Sequence, residues 1–320
     1  MVAKLRIGIS ACLLGQKVRF DGGHKRDRFL TGDFETYAEW VSVCPELEMG
    51  LGVPRPTLRL ENAEDGTRLI MPKTGDDYSA QMAVYAEQRV ERLATLNLHG
   101  YVLKSRSPSC GMQRVKIFPP DGSSGSFAPK GVGHFAAVLM KQLPHLPIEE
   151  EGRLNDPMLR ENFVSRLFAY RRWRELVAGG ITRAALTTFH AIHKYQLMAH
   201  NQTGLRAAGG LLARPDAFPN DDALASAYLV AFTRIMKRTP TTRNHANALQ
   251  HMIGYFTKNL NARETAELTQ VLEDYRLGLL PLILPITLIR HYVRKFDVSY
   301  LKDQIYLFPH PHELMLLNRL

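Results

Sequence analysis

Apolar and polar positions fall into two rhythms along this 320-residue chain, and the rhythm changes near its middle. In the first half, short apolar runs at residues 5–10, 40–44, 68–72 and 100–104 read as strands. Between them, residues 76–98 place Met82, Tyr85, Ala86, Val90 and Leu93 at helical spacing, with Asp76 or Asp77 positioned to cap the start. Residues 111–133 are rich in Gly, Pro and Ser, and predict an ordered loop leading into a helix over 133–142. Strands alternating with helices predict an α/β domain built on a mainly parallel sheet.

Residues 145–156, HLPIEEEGRLND, read as a joint between domains, polar and acidic in the middle with prolines close by. Beyond it the spacing is helical throughout. Helices are expected over 159–177, 183–200, 222–238, 241–260 and 263–277. The apolar patch at 278–293 holds two prolines and is too short between charges to span a bilayer, so it predicts a buried helix pair or a turn. The expected organisation is an α/β parallel-sheet domain over 1–150, a joint and linking helix over 151–180, and an all-α domain over 181–320.

Composition narrows the class. Apolar residues at 45% and charged residues at 22% exclude a mainly disordered or fibrous chain. The apolar start lacks a small-residue cleavage site and reads as a first strand, not a secretory signal. No membrane anchor is expected. An odd count of three cysteines argues against a disulfide framework and for a reducing, cytoplasmic setting. The formal charge of +10 is uneven: residues 1–150 carry 19 Lys+Arg against 17 Asp+Glu, and residues 151–320 carry 22 against 14. The basic excess of the second half points to a polyanionic partner.

Each cysteine follows or closes an expected strand: Cys12 after KLRIGISA, Cys44 at the end of WVSVC, and Cys110 after GYVLKS. Carboxyl ends of parallel strands gather along one edge, where ligands bind, so the three thiols are expected to converge. Three thiolates without a fourth suit an iron–sulfur cluster with one open iron, or zinc completed by a histidine or water. Buried core thiols are the other possibility. Ser, Pro and Gly escort each cysteine and form turns whose N–H groups can face cluster sulfides or an anion.

SACLLG followed by VRFDGG, CPE followed by GLGVPRP, and K-x-x-S-P-S-C-G together resemble the thiouracil desulfidase (TudS) family over about residues 5–140. The second half, with FHAIHKYQLMAHNQ, NHANALQHMIGYF and LPLILPITLIRHYV, is similar to the YbgA-like helical domain, and the EEEGRLNDPMLRENF joint is like that of chains fusing the two. Such fusions, the RudS type, are understood as desulfidases of 4-thiouridine in transfer RNA. The resemblance implies that Cys12, Cys44 and Cys110 ligate a 4Fe-4S cluster whose open iron takes the sulfur of a thiolated uracil base, without net redox change. It also implies that Glu46 activates the water and that Ser107 or Ser109 donates to the ring or relays a proton, Ser107 being preferred. Ser105 is the weaker choice. Asp21 and Arg55 would shape the pocket or brace its loops. Other roles for Glu46 are capping a helix or pairing with Arg55.

For the RNA, Arg171, Arg172 and Arg174 around Trp173 combine phosphate grip with a stacking face, and Lys194, Lys237, Arg238, Arg243 and Lys258 add charge to expected helices. The alternative is a solvated basic face with Trp173 in the core. His190, His193, His200, His245 and His251 are read as core or RNA-contacting residues, not as a second metal site. No protein partner is expected. Two other functions fit the pattern: desulfuration of free 2-thiouracil or another thiolated base, and a non-enzymatic iron–sulfur or zinc RNA-binding module.

Overall fold

The computed structural model describes residues 4–64, 66–120 and 128–311. The chain divides into two compact units, 1–156 and 157–320. The first unit begins with β1 (Leu5–Ser10), β2 (Ala38–Val43) and the short helix α1 (Pro45–Glu48). There follow β3 (Arg59–Ala63), β4 (Gly66–Met71), β5 (Asp76–Asp77), α2 (Ser79–Thr95), β6 (Gly100–Leu103), β7 (Val115–Phe118), β8 (Ala128–Gly131), α3 (His134–Gln142) and β9 (Ile148–Glu150).

These strands form two sheets. The first, in order β2-β1-β6-β9, is entirely parallel. Leu5, Ile7 and Ile9 of β1 are fully buried, as a strand covered on both faces requires. Helix α2 turns Met82, Ala86, Val90 and Leu93 inward at steps of three and four residues. Gly8 fits this layer because a Cβ there would sit 2.2 Å from the Tyr101 ring.

The second sheet, β5-β4-β3-β7-β8, is mixed and differs from expectation. The strand expected at 68–72 belongs here, as β4, and not to the parallel sheet. Ala63 pairs with Gly66 across the β3–β4 hairpin, a connection far too short for a parallel crossover. The segment expected as a loop at 111–133 contributes β7 and β8. Asp77 does help start α2, its carboxylate accepting from the Ser79 N–H at 2.8 Å, while Tyr78 holds the cap position.

The acidic joint is the largest correction in this unit. Residues 148–150 form a strand paired in register with β6, Leu103 opposite Glu150, and Glu149 and Glu150 are each only 5% exposed. The acids point into the unit because backbone and cationic donors meet them there, as described below. The division between units falls after Asp156, so the helix expected in a 151–180 joint is grouped with the helical unit.

That unit contains α4 (Pro157–Ala178), α5 (Arg183–Leu212), α6 (Asp221–Met236), α7 (Thr242–Ile253), α8 (Ala262–Arg276), α9 (Ile283–Lys295) and α10 (Ser299–Lys302). Helix α5 runs beyond the expected end near His200, across a non-helical Asn201 (φ −166°, ψ 102°). The apolar patch at 278–293 forms a turn that leads into one helix, α9. Side-chain caps from Thr182, Asn220, Thr241 and Asn261 set four helix starts. The core gathers around Trp173, Phe189, Tyr228 and Phe232. Among the described residues no helix is long and apolar enough to cross a membrane.

Candidate active site

Three neighbouring strands of the parallel sheet deliver the three thiols to one edge. Strand β1 runs straight into a 3-10 turn at Ala11–Leu14 that carries Cys12. Strand β2, paired with β1 up to Val43 opposite Ser10, hands on to Cys44, the cap residue of α1. Strand β6, on the other side of β1, leads through Lys104 into the turn that ends at Cys110. All three cysteines line a single cavity of about 320 Å³, together with Glu46, Arg55, Lys104 and Ser107.

Cys12 and Cys110 are buried and Cys44 half-buried. Burial pushes the Cys12 thiol up to about 11, raises that of Cys44, and raises that of Cys110 well above the usual thiol range. Cys110 also feels both other thiols as like charges. Three thiolates cannot coexist here without a compensating cation, and a metal that coordinates a thiol deprotonates it. Among the described residues, however, no three His, Cys, Asp or Glu side chains close on a single metal ion. Three thiols lining one cavity of this size have the donor chemistry that holds a multi-iron group.

Glu46 sits on α1, two residues beyond Cys44. Its Oε2 accepts from Arg55 Nη2 at 2.7 Å and Nε at 3.0 Å, and its Oε1 accepts from Ser109 Oγ at 2.9 Å. The Arg55 side chain is 3% exposed, and its remaining donors reach the Gly52 and Val18 carbonyls at 2.7 and 3.1 Å. The carboxylate is therefore held from both oxygens at the cavity wall, so the Arg55 pairing and the position facing the thiols occur together.

The two serines differ. Ser107 lines the cavity, and its Oγ accepts from the Ser109 and Cys110 N–H groups at 3.2 and 3.1 Å. With its lone pairs used that way, the hydroxyl proton is left to donate. Ser109 is fully buried behind Glu46. Asp21 is exposed and turned onto its own loop, accepting from the Gly23 N–H at 3.0 Å. It does not line the cavity.

Sequence reasoning missed the supports of the Cys110 turn. Glu150 accepts from the Met112 N–H at 2.7 Å. Glu151 accepts from the Ser105 N–H at 2.7 Å and Ser105 Oγ at 2.8 Å, and it pairs with Lys104. Gly133 caps α3 against the same turn, where a Cβ would lie 2.5 Å from the Ser109 carbonyl. The three consecutive glutamates were the available signal, hidden because they look like linker.

In the helical unit the residues expected to contact RNA differ in exposure. Trp173 is 4% exposed and stacks on Tyr228 at 6.0 Å, so it offers no stacking face. Arg171 pairs with Glu175 at 2.7 Å. Arg172 donates to the Pro309 carbonyl at 3.1 Å, and burial pulls its pKa down to about 10. Arg174 is half-buried and bonds Tyr170. Lys194 lies over the Tyr195 and Tyr300 rings, whereas Arg243 and Lys258 are exposed. His193 and His200 are core groups, their Nδ1 atoms on the Phe189 and Arg238 carbonyls at 2.7 and 2.6 Å.

Comparison with known proteins agrees with this division. Residues 7–151 match the 2-thiouracil desulfurase family, and residues 194–311 match the DUF1722 family of proteins of unknown function. The uncharacterized protein YbgA of Escherichia coli K12 is 30% identical over 141 residues, which is 44% of this chain and 83% of that protein. The uncharacterized protein YbbK of Bacillus subtilis 168 is 28% identical over 158 residues, 46% of this chain and 97% of that protein. A solved structure titled a [4Fe-4S]-dependent thiouracil desulfidase, TudS, is 29% identical, covers 48% of this chain and 95% of that one, and has a TM-score of 0.39. The first unit thus has the pattern of the 2-thiouracil desulfurase class. The chain belongs to the YbgA family, and its residues 7–151 carry the 2-thiouracil desulfurase match beside the YbgA-like region.

Proposed function

We propose that this chain is a 4Fe-4S-dependent desulfidase that replaces the sulfur of a thiolated uracil with oxygen, and that its substrate is 4-thiouridine in transfer RNA. One observation carries the reading: three thiols from three adjacent strand ends share a cavity with a carboxylate anchored by Arg55 and Ser109. Cys12, Cys44 and Cys110 would hold the cluster. With three cysteines in the sequence, one iron would lack a thiolate from the protein and would supply a Lewis acid with affinity for sulfur.

The chain's own residues do the rest. Glu46 takes a proton from the water that attacks the ring carbon, and its bonds to Arg55 and Ser109 keep the carboxylate aimed. Ser107, able only to donate, steadies negative charge on the ring as the water adds. The overall balance is thiocarbonyl plus water giving carbonyl plus hydrogen sulfide, with no electron transferred. The net positive charge of the second half supports a polyanionic substrate over a free base.

The test is anaerobic reconstitution followed by iron and sulfide analysis, then incubation with thiolated transfer RNA and, separately, with free 2-thiouracil. The expected result is sulfur loss from the RNA, and a fall in rate of about 10²–10⁴ for Glu46→Gln. Sulfur loss from 2-thiouracil alone would remove the RNA half of the reading. Full activity with zinc in place of iron, or in Glu46→Gln, would remove the chemistry.

A further inference from the structure

The three-thiol cavity has one aromatic side chain among the described residues that line it, Phe20. Phe20 is 36% exposed, whereas Cys12 and Cys110 are each 7% exposed, so the ring belongs to the mouth and the thiols to the floor. An apolar ring left partly in water contributes little to a core. The chain nevertheless fixes it in place. The Gly22 N–H donates to the Arg19 carbonyl at 3.0 Å and the Arg19 N–H to the Gly23 carbonyl at 3.3 Å, which closes a tight turn around the residue. The Arg19 guanidinium lies 5.2 Å from the ring centroid and braces it.

Arg55 anchors this turn to the acid. Its backbone N–H donates to the Phe20 carbonyl at 2.9 Å, and its Nη2 donates both to the Val18 carbonyl and to Glu46 Oε2. One residue thus ties the backbone that carries the ring to the carboxylate. The cavity, at about 320 Å³, is at the small end of ligand pockets and suits a small planar group at its mouth.

We propose that Phe20 is the platform on which the thiolated pyrimidine stacks, a role that rests on the desulfidase reading of this cavity. Stacking on an aromatic face holds a base without reading its substituents. Phe20 therefore governs how tightly the ring is held, and Arg55 keeps the platform in register with Glu46.

The reconstituted full chain is assayed with thiolated transfer RNA and with free 4-thiouridine, alongside Phe20→Leu and Phe20→Tyr. Phe20→Leu should raise KM about tenfold on whichever substrate the parent turns over, with a smaller effect on kcat and with the parent's iron and sulfide content. Phe20→Tyr retains the aromatic face and should keep KM near the parent's. Fluorescence gives a readout independent of turnover. Titrating reconstituted Phe20→Trp with uridine should quench its emission saturably, beyond any change in the parent, whose own tryptophans are Trp40 and Trp173. Unchanged KM in Phe20→Leu, a Phe20→Tyr chain as impaired as Phe20→Leu, or no added quenching in a Phe20→Trp chain that still turns over would each overturn the proposal. Added quenching with no turnover in any chain would keep the platform and remove the desulfidase reading instead.

Discussion

Gly133→Ala isolates the fit between α3 and the Cys110 turn. The residue's backbone (φ −64°, ψ 141°) is open to any amino acid, so the substitution adds a methyl group without backbone strain. That methyl would meet the Ser109 carbonyl carbon and oxygen at 2.5 Å and the Cys110 nitrogen at 2.8 Å, all main-chain atoms that cannot swing aside. Ordinary contact begins at 3.4 Å, so the turn must retreat by about 0.9 Å. Three main-chain bonds join the two segments: Gly133 N–H to Gly111, His134 N–H to Pro108 and Ala136 N–H to Ser109, at 2.8, 3.1 and 3.1 Å. Overpacking costs about 1–3 kcal/mol and each weakened bond about 1, so a loss of about 3 kcal/mol is expected. The same retreat pulls Ser109 from Glu46 and Cys110 from the cavity. Urea unfolding should show the lower midpoint, and anaerobic reconstitution should show less iron and sulfide per chain. A variant with the parent's midpoint and full iron content would refute the reasoning.

Other expectations follow from burial and pairing. His193 and His200 have ring pKa values pulled down by burial to about 3 and about 4, against 6.5 in the open chain. The unfolded state therefore binds more protons below pH 6.5, and acidification lowers stability until each ring protonates at its folded value. At pH 5 each should cost about 2 kcal/mol, measured as a drop in urea midpoint from pH 7 to 5; an unchanged midpoint would contradict it. Arg55→Met leaves Glu46 half-satisfied at 15% side-chain exposure and should cost about 3 kcal/mol, whereas Arg183→Met, at an exposed pair, should cost under about 1 by the same assay. Glu151→Gln weakens the hold on Lys104 and Ser105; reconstituted chains should bind less iron and unfold about 1–2 kcal/mol sooner.

The convergence of Cys12, Cys44 and Cys110 was legible because strand ends in a parallel sheet have a common direction, so their geometry follows from order along the chain. The second sheet was not. Its strands are short and carry charge, as in RLENA of β3, and the turn signal in Glu64-Asp65-Gly66 was read past. Charge misled twice. Glu149 to Glu151 looked like a solvated linker because nothing local says that backbone N–H groups await them. Trp173 looked available because three arginines flank it, yet one turn of helix carries those neighbours around to other faces. Helix α5 was ended too early because Asn201 and the glycines after it favour a stop, which packing of Leu205 and Ala208 in the core overrides.

Because each thiol hangs from a different strand, a group bound by all three would fasten together segments of chain up to 98 residues apart, from Cys12 to Cys110. A nascent chain has no such site until it has emerged past Cys110 and the parallel strands have aligned. Binding such a group would then count directly toward the stability of the aligned strands, so loss of the group should loosen the sheet edge that holds it.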